Sequence, residues 1–215
     1  MTTNASTRTP ASLAVIWQAI KTWYDDWFNL FILNFFASIS WMTLIFGPPM
    51  LFGLYEIGYE LAHGRSQGTI ELFRAAKKHF MVSWLWMFSN VVVGIVISVN
   101  IIFYWRMGRA WSIILVSVFL FIGLFWAMTQ LYVIPFYLEQ STRSLKLAYK
   151  NAALTFLASP GYTVIIFLYA LIILLLSFGI ILPLILAGPA LIIITGSYAV
   201  RERLQTFGIA VNNDA

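Results

Sequence analysis

From Asn151 to Val200 the chain runs fifty residues without an Asp, Glu, Lys or Arg. A water-soluble fold has no way to hide that much uncharged chain. About 20 apolar residues cross the hydrocarbon core of a bilayer, so fifty suffice for two crossings with a turn between them. Three shorter charge-free stretches precede this one, over 28–55, 80–105 and 110–138. The sequence therefore predicts an integral membrane protein.

Composition agrees: 61% of residues are hydrophobic and only 10% charged, against roughly 25% charged in ordinary soluble domains. In a soluble protein the formal charge of +5 would suggest nucleic acid. Here the basic residues flank apolar segments, where anionic lipid accounts for them, and no nucleic acid partner is expected. The chain has no cysteine, which removes disulfides, thiolate metal sites and thiol nucleophiles together.

The expected fold class is all-α: a polytopic transmembrane helix bundle of five to six spans, with amphipathic interfacial helices on the cytoplasmic side. The spans read as about 28–46, 50–62, 81–104, 111–136, 162–181 and 184–200. They form one membrane domain over 11–204, between a tail at 1–10 and another at 205–215. The first run is closed by Gly47, Pro48 and Pro49, which cannot continue a helix. The second, Met50 to Ala62, covers only about 20 Å by helical rise and is read as a short or tilted span. Met81 to Tyr104 and Trp111 to Phe136 form a hairpin around Arg106 and Arg109, with tryptophans at its tip suited to the interface. Pro135 and Pro183 are expected to kink or end helices.

Six crossings put both termini on one side, together with 63–80 and 137–161. Eleven basic residues then lie on that side, and Arg106 and Arg109 on the other. The positive-inside rule makes the crowded side cytoplasmic. Three stretches there have helical apolar spacing and are expected to lie in the interface. The first follows Thr9 and Pro10 and carries Leu13, Ile16, Trp17, Ile20, Tyr24 and Trp27. The second follows Gly68, with Ile70, Phe73, Ala76 and Phe80 opposite Glu71, Arg74 and Lys78. The third sets Leu145, Tyr149, Ala152 and Phe156 against Arg143, Lys146 and Lys150. Arg74, Lys77, Lys78, Arg143, Lys146 and Lys150 are the basic residues expected to face lipid or a partner. The same patterns also suit solvated linkers with basic anchors. Viewed whole, the chain reads as three hairpins, each followed by basic residues.

The order of landmarks is specific: a first span ending in Gly47-Pro48-Pro49, then LFRAAKKHF at 72–80, then SLKLAYKNAALTFLASP at 144–160 before the last hairpin. In this the chain resembles the YesL-like family of bacterial membrane proteins of unknown function, over roughly Trp17 to Leu204. The resemblance implies a small polytopic inner-membrane protein, often encoded near sugar-uptake transporters and enzymes of polysaccharide breakdown. It assigns no functional residue. Glu56 and Glu60 depart from the family picture, which has apolar or basic residues at those places.

An ionisable side chain within a span is costly unless it faces protein or water, so Glu56, with Glu60 one turn on, is the sharpest candidate. The pair reads either as a site for a cation, a sugar hydroxyl or a proton, or as a shallow helix whose Glu60 reaches the interface near Arg65. Asn34, Asn90 and Gln130 fall in the cytoplasmic halves of their helices. They either line a polar pocket with Glu56 or, more commonly for such amides, hold helices together by hydrogen bonds. His63 and His79 have no metal-ligand spacing, and neither a phosphate loop nor a nucleophile elbow is present. No catalytic set, metal or cofactor is expected. The leading expectation is a non-enzymatic accessory partner of a carbohydrate transport system such as a sugar permease. The alternative is a small transporter or channel with a polar path near Glu56.

Overall fold

The computed structural model describes residues 11–179 and 187–209. Among them every regular element is helical. The Thr9-Pro10 start, Pro183, the join of the last two predicted spans and most of both tails lie outside the described residues.

The helices are α1 (Ala11–Asp25), α2 (Trp27–Ser40), α3 (Gly47–Ala62), α4 (Thr69–Lys78), α5 (Phe80–Arg106), α6 (Ser112–Glu139), α7 (Leu145–Ala158), α8 (Pro160–Gly179) and α9 (Gly188–Thr206). Three are long and apolar enough to cross a membrane: α5, α6 and α8. This marks the chain as a membrane protein by the length and composition of its helices.

The run predicted as one span from 28 to 46 is broken. α2 stops at Ser40, and a 3₁₀ turn over Trp41–Thr43 follows. Two hydroxyls help end the helix by capturing backbone carbonyls: Ser40 Oγ donates to Ala37 O and Thr43 Oγ1 to Ser40 O, both at 2.6 Å. Leu44 then takes a left-handed φ of 56°, and the chain reverses. Pro48 and Pro49 do not make this turn. They open α3, in the first helical turn where a missing N–H costs nothing.

α2/α3 and α5/α6 are antiparallel hairpins, and α8 and α9 make a third pair. The first and third pairs meet where Arg201 of α9 donates to Ala62 O at the end of α3. Each is also tied to its own connections: Asn29 Nδ2 donates to Gln67 O at 2.8 Å, and Arg203 Nη1 donates to Ser159 Oγ at 3.1 Å. The core lies around α3, the C-terminal half of α6 and α9, built on Phe52, Leu54, Tyr132, Ile134, Ile194 and Val200.

Small residues set the closest approaches, as expected where helices associate without a hydrophobic drive from water. A Cβ on Gly53 would sit 2.8 Å from Leu72 O, which lets α4 cross directly over α3. A Cβ on Gly196 would sit 2.8 Å from Leu131 O. That carbonyl is the one Pro135 leaves without its helical donor four residues on, so α9 closes on the defect that Pro135 makes in α6. α6 nevertheless continues past Pro135 to Glu139.

Two of the helices expected in the interface turn part of their apolar face outward. α1 buries Ser12, Val15 and Ala19 and exposes Leu13, Trp17 and Tyr24. α4 buries Leu72, Ala75 and Ala76 and exposes Ile70 and Phe73. In α1, Ile16 and Trp23 also pack against the core, so each helix divides its apolar residues between the protein and the outside. In α7 the buried face is Ala148, Ala152 and Thr155, with Leu145 and Tyr149 packed against the core.

Candidate functional site

Where α4 meets α5, Glu56, Lys78, His79 and Arg143 come together. His79 occupies the bend between the two helices, with only 2% of its side chain exposed. Its ring lies between Phe52 of α3 at 6.1 Å and Tyr137 of α6 at 5.7 Å. Glu56, projecting from α3, meets both Lys78 Nζ and His79 Nε2 at 2.6 Å. Arg143 Nη1 comes to 3.4 Å from the same His79 nitrogen. One nitrogen cannot donate to a carboxylate and accept from a guanidinium at once. The shorter contact decides that Nε2 carries a proton given to Glu56, and Arg143 stands by as a further cation.

A recess of about 170 Å³ opens beside this cluster, walled by Glu56, Glu60, Gln67, Glu71, Arg74 and Lys78. Each carboxylate on the wall is engaged. Arg65 Nε donates to Glu60, and this contact raises the pKa of Arg65 above its ordinary value. Glu71 Oε2 accepts from the Gly68 N–H at 3.2 Å, capping α4, while its other oxygen lies 3.9 Å from Arg74.

A second cluster joins the end of α3 to the end of α6. His63 Nδ1 meets Tyr59 O at 2.8 Å, and its ring lies 4.3 Å from that of Tyr59. His63 Nε2 is 3.7 Å from Glu139 Oε1, both side chains being buried. Burial pushes the His63 pKa below its usual value, the largest of several influences. The neutral imidazole is therefore the resting form at neutral pH, so the contact with Glu139 is not an ion pair there.

The predicted polar residues do not share one cavity. Glu56 and Glu60 line the recess. Asn34 is fully buried on α2 with Leu30, Leu33 and Ala37. Asn90 Oδ1 accepts from Trp126 Nε1 at 3.0 Å, and its amide donates to Trp86 O at 2.9 Å. Gln130 Oε1 accepts from Trp86 Nε1 at 3.1 Å. Tyr149 of α7 closes this seam, stacked on Trp126 at 5.2 Å and bonded to Ser89 at 2.7 Å. Of the predicted basic residues, Lys77, Lys146 and Lys150 are exposed; Arg74, Lys78 and Arg143 belong to the ionic layer.

Sequence reasoning missed His79, Tyr137 and Glu139. Glu56 and His79 are 23 residues apart, with no periodic pattern linking them. A lone histidine next to a lysine and a phenylalanine carries no signal of a buried partner.

The arrangement can hold charge. Among the described residues no group of three or more His, Cys, Asp or Glu is placed to hold a metal ion. Comparison with protein-family models, with curated proteins and with solved structures finds no match to this chain.

Proposed function

We propose that the chain is a non-enzymatic accessory subunit of a bacterial inner membrane, which assembles with another membrane protein through its apolar helices. One observation carries this reading. In α5 none of the residues of the most apolar 18-residue window is buried within the chain, while Ser89 and Asn90 turn inward to α6 and α7. The helix offers a clean hydrocarbon face to lipid or to a second protein, and the ionic groups are spent on holding the chain's own helices together. A carbohydrate permease is the partner that the resemblance to the YesL-like family implies.

The topology proposed with it has three hairpins whose polar ends all lie in the cytoplasm with both termini. The excess of basic residues at those ends supports this orientation. α2 and α3, of 14 and 16 residues, reach about 21 and 24 Å, short of the ~30 Å hydrocarbon core. We read this hairpin as dipping into the bilayer and returning, which leaves the orientation of everything after it unchanged.

Copurification from native membranes in mild detergent, followed by mass spectrometry, tests the assembly. A stoichiometric membrane partner is expected. A Cβ on Gly94 of α5 would meet nothing within 4 Å, so Gly94→Leu should preserve folding and reduce recovery of the partner. Recovery of the wild-type chain alone would sink the proposal.

The recess beside Glu56 favours a second reading, a small transporter with its path there. It requires that Glu56→Gln abolish uptake by vesicles while leaving the folded protein in the membrane.

A further inference from the structure

The ionic layer uses most of the basic residues of α4 and leaves one over. Arg74 faces Glu71, and Lys78 is bound to Glu56. Lys77 is exposed and has no carboxylate within salt-bridge distance among the described residues. It lines a groove of about 500 Å³ between the second half of α2, the start of α3, and α4. The rest of the wall is largely hydrocarbon: Phe36, Ile39, Phe46, Met50, Phe73 and Phe80. Phe36 and Phe73 meet edge to face at 5.7 Å. The hydroxyls of Ser40 and Thr43 also border the groove, but both donate to the backbone of their own turn. What remains is an apolar trough with one ammonium.

We propose that this groove holds an acyl chain of an anionic phospholipid, with Lys77 binding the lipid phosphate. Water gains nothing in a cavity that offers so few polar partners. The volume lies within the range of small-molecule sites. One turn of an α-helix about 10 Å across and 5.4 Å high fills about 420 Å³, so a partner helix would enter for little more than a turn. A flexible hydrocarbon chain can follow the trough along its length. The unpaired ammonium supplies selection for an anionic headgroup over a zwitterionic one. The proposal does not depend on the accessory function.

The chain has no cysteine, so Ile39→Cys gives one bimane label on the groove wall. The labelled protein is reconstituted in phosphatidylcholine vesicles containing increasing brominated phosphatidylglycerol or, separately, brominated phosphatidylcholine. Half-maximal quenching is expected at about fivefold lower mole fraction for the anionic lipid, the effect of one lysine near the surface. Lys77→Gln should remove that advantage, Lys77→Arg should keep it, and Lys146→Gln on α7 should leave it unchanged. A label at Ile95→Cys, on the exposed face of α5, should show no preference. Equal quenching by the two lipids at Ile39 would overturn the proposal. So would a preference that survives Lys77→Gln or vanishes equally with Lys146→Gln, or a label shielded from both lipids as by a bound protein.

Discussion

Glu56 is the residue on which three elements converge, since its carboxylate ties α3 to Lys78 and His79 at the α4/α5 bend, with Arg143 close behind. Removing its charge leaves the Lys78 ammonium and the His79 N–H without their anionic acceptor. Glu56→Gln is expected to cost about 2 kcal/mol, below the 3–5 kcal/mol of a fully buried pair because half of the Lys78 side chain is exposed. Chemical denaturation in detergent micelles would measure it, and an unchanged midpoint would show that the layer is ornamental. His63 gives a pH dependence of definite sign. Its folded pKa lies below the ordinary 6.5, so just below pH 6.5 the unfolded chain binds a proton that the folded chain refuses. The stabilisation is complete above that pH and is lost as pH falls toward the folded value. In a Glu139→Gln background, which removes the buried carboxyl 3.7 Å from His63, melting curves from about pH 7.5 to about pH 5.5 should show a decline, and adding His63→Gln should make it shallower.

At the scale of elements, the glycines that let helices touch are the sensitive points. Gly53 and Gly196 each face a backbone carbonyl at 2.8 Å from where a Cβ would be, whereas Gly58 faces the Ile193 Cγ2 methyl at 2.6 Å. Backbone cannot rotate away and a methyl can, in part. Gly53→Ala and Gly196→Ala should each cost about 1–3 kcal/mol, and Gly58→Ala less; the order of the three unfolding midpoints tests this. The α5/α6/α7 seam rests instead on amide-to-indole bonds. Asn90→Leu strands the Trp126 N–H, and a loss near 1 kcal/mol is expected, within the range of interhelical hydrogen bonds in membranes. On α1 and α4 the outward apolar residues Leu13, Trp17, Tyr24, Ile70 and Phe73 suit contact with lipid, while Val15, Ala19, Leu72 and Ala76 pack inward.

For the molecule as a whole, topology is the testable quantity. Single cysteines at Ala110, Ser66 and Ser141 would mark the tip of the α5/α6 hairpin and two polar connections. A membrane-impermeant maleimide on intact cells should label Ala110→Cys alone, and the other two only after permeabilisation. Leu44→Cys, at the tip of the short α2/α3 hairpin, should resist labelling from outside. Labelling of Ser66→Cys on intact cells would reverse the orientation, and labelling of Leu44→Cys would turn the dip into a crossing.

Much of this was legible before any coordinates, because the bilayer imposes a long, local and nearly charge-free pattern on each crossing. The α5/α6 hairpin matches its predicted spans within a few residues for that reason, and α8 begins within two residues of its predicted start. The reversal before Gly47 was misplaced, since the hydroxyls of Ser40 and Thr43 act several residues ahead of the prolines that drew attention. The pairing of Glu56 with His79 and of Asn90 with Trp126 could not be read at all: each joins residues far apart in the chain through side chains with no repeat to betray them. The sequence by itself determined that the long helices are apolar along most of their length and that charge is kept largely to their ends and connections. Only the tertiary structure decided which polar atoms meet there and which apolar faces stay open, because those depend on how rigid helices dock, where a methyl group too many or a carbonyl left without a donor outweighs any average hydropathy.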